Sequence, residues 1–91
     1  MVHDENAPVI ESMQRIRWAC RRGMLELDVL LGNFLDHAYL ELTQSQRHLF
    51  VSLLSQADPD IFSWLMGHER PQDAGLAWAV DAIRQHAKSR F

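Results

Sequence analysis

Residues 24–38 read MLELDVLLGNFLDHA, and their spacing decides the fold. Leu27, Leu30, Leu31, Phe34, Leu35 and Ala38 follow the i, i+3, i+4, i+7 rule, which puts them on one stripe of an α-helix. Gly32 falls inside this pattern and costs about 1 kcal/mol against alanine. The same period continues on both sides. Upstream, Val9, Met13, Ile16 and Cys20 mark a second apolar stripe over about Val9 to Arg21. Downstream, Thr43-Gln-Ser-Gln46 forms a capping box that opens a helix with Leu49, Phe50, Leu53 and Leu54 inward. Asp58-Pro59-Asp60 starts a fourth helix, with Asp58 as N-cap and Pro59 at the first helical position. In it Ile61, Phe62, Leu65 and Met66 face the core, and Gly67 is the stop. After Pro71 a last helix runs to about Lys88, with Leu76, Val80, Ile83 and Ala87 on one stripe. No window alternates as a strand, and no Asn-Gly or Asp-Gly hairpin signal is present. The sequence therefore predicts an all-α, compact single-domain bundle of about five short helices over residues 9–91, with residues 1–8 as a flexible leader.

Composition narrows the function by exclusion. Ninety-one residues hold one core and leave little room for a deep substrate cavity. A net charge of −3 argues against a nucleic-acid footprint, which needs a basic face. The single cysteine, Cys20, cannot form an internal disulfide and lies on an apolar stripe, as a small buried hydrophobe does. No run approaches the ~18 apolar residues of a membrane span, and residues 1–8 lack a secretory pattern, so the expected address is the cytoplasm. The five histidines (His3, His37, His48, His68, His86) are scattered, so no metal site is expected. No nucleophile elbow or glycine-rich phosphate loop occurs either, and the sequence predicts neither a catalytic residue nor an enzyme. Asp36-His37 and Trp64 carry no assigned role.

The informative stretch is Arg15 to Asp28, RIRWACRRGMLELD. On a helix continued through Gly23, Arg15, Trp18, Arg22 and Glu26 fall at i, i+3, i+7 and i+11 on the face opposite Ile16. An indole among arginines on an outward face has the composition of a protein–protein hot spot. The structural alternative is a surface Arg22–Glu26 pair, with Trp18 packed under the last helix beside Trp78. Gly23 either closes the first helix or lets another backbone approach, and both place Arg22 and Glu26 at an elbow with side chains projecting freely.

Arg21 to Asp28, RRGMLELD, resembles the Arg-Gly-x-x-Glu signature of the succinate dehydrogenase flavinylation factors, the bacterial SdhE family (also called YgfY or CptB) and its mitochondrial relatives. Asp58-Pro59-Asp60-Ile61-Phe62 with Trp64-Leu65 resembles the family's second block. The resemblance implies a small cytoplasmic assembly factor that binds the flavoprotein subunit of succinate dehydrogenase, and often of fumarate reductase. Such factors promote covalent attachment of FAD to a histidine of that subunit, so FAD is the client's cofactor and none is held stably here. The signature carries over onto Arg22, Gly23 and Glu26, with Met24 and Asp28 adjoining; Arg15 and Trp18 fall in the same block. These seven are the expected partner-binding residues, with Arg22 meeting a client carboxylate. An antitoxin-like role, or a generic adaptor using the same surface, is the alternative. Because the five stripes can satisfy one another, a monomer is expected.

Overall fold

The computed structural model describes the backbone of residues 6–90 and the side chains of residues 13–89. Five helices follow in order: α1 (Asn6–Ala19), α2 (Leu25–His37), α3 (Gln44–Leu54), α4 (Asp58–Leu65) and α5 (Ala74–Arg90). Among the described residues there is no strand, as the periodicity requires. α1 starts at Asn6, ahead of the Val9 start read from the apolar stripe; residues 1–5 of the expected leader, and the side chain of Val9, lie outside the described residues.

Residues 24–38 behave as their spacing dictates. Leu27, Leu31, Phe34 and Leu35 are buried on the inner face of α2, while Leu30 and Ala38 sit at its edges. α5 packs across α2, α3 and α4 and buries Ala77, Ala79, Val80 and Ile83. From α3 come Phe50, Leu53 and Leu54, and from α4 Ile61 and Leu65. Phe34 stacks on Phe50 at 5.2 Å between ring centroids. Each fully buried Leu, Ile or Phe is worth about 1.5–3 kcal/mol of transfer free energy, and the stripes meet in one cluster.

The helix ends follow local chemistry. The Thr43 hydroxyl accepts from the Gln46 amide at 3.1 Å while the Gln46 side chain accepts from the Thr43 amide at 2.9 Å, the reciprocal capping box. A single 3-10 turn at Tyr39–Glu41, not anticipated from the sequence, carries the chain from α2 towards α3 and buries Tyr39. Gly67, at φ +81°, ends α4 as expected. The start of α4 needs a correction. Ala57 is the capping residue and Asp58 already lies in the first turn, because the Asp58 carboxylate has a tertiary partner instead of the local amides.

Candidate functional site

α1 does not run on through Gly23. Its last turn tightens as the Cys20 amide donates to the carbonyls of Ile16 and Arg17 and the Arg21 amide donates to that of Trp18. The chain then bends, and Gly23 takes φ +84°, a left-handed conformation that costs an L-residue about 1–2 kcal/mol. Met24, extended and half-buried against the core, leads into α2. Asp28, one turn into α2, reaches back, and its Oδ1 accepts from the Arg22 amide at 2.5 Å.

Here the structure departs from the expectation for Arg22. Its side chain does not project; it folds inward to 15 % exposure and fills a cage of acceptors from the end of α1 and from the distant segment 54–58. Nε donates to Asp58 Oδ1 at 2.7 Å. Nη1 donates to the carbonyls of Ala19 at 2.7 Å and Leu54 at 2.9 Å, and Nη2 to that of Gln56 at 3.0 Å. The guanidinium thus satisfies the end of α1 and the turn between α3 and α4 at once, while Asp58 neutralises its charge. The row Arg15, Trp18, Arg22, Glu26 is broken, since the bend rotates Arg22 out of register; Arg22 pairs with Asp58, not Glu26. Sequence spacing has no access to this contact, because the pair is 36 residues apart.

The other expected residues divide by exposure. Trp18 is 74 % exposed, so it does not pack under α5; Trp78 is instead half-buried against the core. Arg15 and Glu26 are exposed, and around Gly23 the space is open, with no atom within 4 Å of where a Cβ would stand. Leu25, which was not singled out in the sequence, is 75 % exposed beside them. The sequence signal for it is a leucine two residues after Gly23 and off the α2 stripe. Arg22, Met24 and Asp28 are the part-buried frame of the elbow, and Trp18, Gly23, Leu25 and Glu26 its open side.

Around this elbow, Arg17 pairs with Asp36 at 2.7 Å and ties α1 to α2. Cys20 is buried, and that burial pushes its thiol up to about 11, against the smaller opposing pull of Arg17 and Arg22. His37 Nδ1 lies 3.0 Å from the Asn33 carbonyl, and its ring stacks on that of His86. Trp64 sits half-buried at the rim of α4. Among the described residues no three His, Cys, Asp or Glu side chains gather at a metal-sized site, and no helix is long and apolar enough to cross a membrane.

These features define a small all-α protein in which, among the described residues, a dense set of polar bonds holds a bend between two helices. Comparison with known proteins places it further. The family described as flavinator of succinate dehydrogenase matches residues 14–87, and the chain belongs to it. The FAD assembly factor SdhE of Aliivibrio fischeri is 49% identical over 81 residues, 89% of this chain and 94% of that protein. The protein of the same name from Vibrio cholerae is 50% identical over 80 residues, 88% and 93% of the two chains. The solution structure of a UPF0350 protein superposes with a TM-score of 0.75 at 49% identity, covering 89% of this chain and 86% of that one. The family is one of assembly factors, not enzymes.

Proposed function

We propose that this protein binds the flavoprotein subunit of succinate dehydrogenase, and that of fumarate reductase, and promotes covalent attachment of FAD to it by docking through the α1–α2 elbow. The observation that carries the docking site is the elbow's open side: Trp18 and Leu25, each about three-quarters exposed, flank a left-handed glycine with open space around it. Apolar groups of this size on a fixed bend are the material of contact surfaces. Arg15, Trp18 and Glu26 would meet the client and Gly23 would admit its backbone, while Arg22, Met24 and Asp28 hold the bend.

The flavin bond forms within the client, so this chain need not supply an acid, a base or a nucleophile. Its contribution is preferential binding of the client conformation that sets FAD against its attachment point. FAD remains the client's cofactor, and the factor acts as a cytoplasmic monomer. The test is in-gel flavin fluorescence of the flavoprotein subunit with no addition, with this protein, and with its Trp18→Ala and Gly23→Leu variants. Covalent flavin should rise with the unmodified protein and much less with either variant. Because Gly23→Leu also strains the bend, Trp18→Ala is the cleaner arm. An equal rise with Trp18→Ala would remove the elbow from the mechanism, and no rise with the unmodified protein would remove the function.

A further inference from the structure

Charge is unevenly spread along this acidic chain. Arg15, Arg17, Arg21 and Arg22 are four of its nine basic residues, and no Asp or Glu occurs from Met13 to Leu25. Arg22 folds inward, whereas Arg15, Arg17 and Arg21 are exposed and, with Gln14 and Trp18, line an open hollow on the outer face of α1. Arg17, one of the lining residues, shares its charge with Asp36 of α2. A protein of net charge −3 therefore presents an arginine-lined recess whose indole, Trp18, is 74 % exposed.

We infer that this hollow docks an acidic segment of the client, its carboxylates on Arg15, Arg17 and Arg21 and one of its apolar side chains covering Trp18. The inference rests on the proposed function and adds the chemistry of recognition. Guanidinium forks match carboxylates in pairs, and the indole supplies the apolar area that ion pairs at a wet rim do not. A single-stranded nucleic acid would also meet arginine and an aromatic ring, but it tracks a continuous basic groove over several phosphates. Here Asp36 pairs with Arg17 of the lining, and Glu26 and Asp28 follow beyond the bend at the start of α2, so a long polyanion would meet like charge.

The experiment measures affinity of the intact protein for the flavoprotein subunit as salt is varied from about 50 to about 300 mM, a range that shortens the screening length roughly twofold. Affinity should fall about tenfold across that range, and Arg21→Glu should weaken low-salt binding about tenfold and flatten the salt dependence. Arg70→Gln, in the α4–α5 connection, should change neither. Binding that ignores salt and Arg21→Glu overturns the inference while leaving the proposed function standing. If the subunit does not bind at all, the proposed function fails, and the hollow is judged by a short Glu- and Asp-rich peptide with one central leucine. Movement of the Trp18 indole N–H resonance by that peptide, and not by its Gln and Asn counterpart, supports the acidic reading. Equal movement by both peptides, none by either, or a larger response to a short single-stranded oligonucleotide overturns it.

Discussion

Replacing Arg22 with alanine should destabilise the fold by about 3 kcal/mol, even though the residue lies in a short connection outside any helix. The magnitude follows from what the guanidinium holds. One charged bond to Asp58 is worth about 1.5–3 kcal/mol and each of three carbonyl bonds about 1, if every acceptor were stranded. The carbonyls of Leu54 and Gln56 lie next to exposed turn residues and can regain water, and Asp58 is itself 33 % exposed, so the realised loss is smaller than the gross figure. For a domain of this size about 3 kcal/mol lowers the melting temperature by on the order of 15 °C. Urea unfolding followed by circular dichroism gives the free energy. Asp58→Ala, measured alone and with Arg22→Ala, should show a coupling of about 1–3 kcal/mol between the two positions. Arg22→Lys should recover less than half of the loss, since one ammonium cannot reach four acceptors spread over two segments. A loss below about 1 kcal/mol for Arg22→Ala, or additive behaviour in the double variant, would refute the account of the cage.

Three further outcomes are expected. Gly23→Ala should cost about 1–2 kcal/mol from the φ of +84° alone, because the new methyl meets open space; a neutral result in urea unfolding would mean that the bend relaxes. Thr43→Ala removes one half of the capping box and should cost about 1 kcal/mol by the same measurement, with Gln46→Ala costing less than Thr43→Ala. The Cys20 thiol, raised by burial from 9.0 to about 11, holds its proton in the folded state over a range where the unfolded chain loses it. Its contribution to stability is therefore complete below about pH 9 and declines as pH rises towards 11, and the unfolding free energy of Cys20→Ala should fall less steeply over that window.

The helices were legible because each depends on contacts within a few residues. The i, i+3, i+4, i+7 run in residues 24–38, the Thr43 box and the glycine stop at Gly67 are local patterns with local causes, and each stands where its spacing puts it. Position on the elbow was legible only in part. A straight helix puts Trp18, Arg15 and Glu26 on its outer face, and they are exposed although the helix bends. The same construction puts Arg22 outward, yet it is folded in, because what draws it is a carboxylate and two carbonyls near the α3–α4 turn. No periodicity encodes that attraction. The role of Asp58 was hidden for the complementary reason: ahead of Pro59 it looks like helix-start chemistry, and a tertiary partner outcompetes the local amides. The 3-10 turn at Tyr39–Glu41 leaves no mark in the pattern, since three residues are too few to show a period.

The Arg22–Asp58 cage also changes how genetic data on this protein should be interpreted. An inactivating allele at Asp58 would map to the start of α4, 36 residues from Arg22, and would invite a second contact surface to be drawn there. Suppressors of such an allele would fall around residues 19–28, across the chain, and the two sets would look like opposite faces of a complex. Both would act on one hinge pin. A scan that scores only client binding would merge them, and only a parallel scan of folding stability would tell an allele that loosens the bend from one that strips the surface it presents.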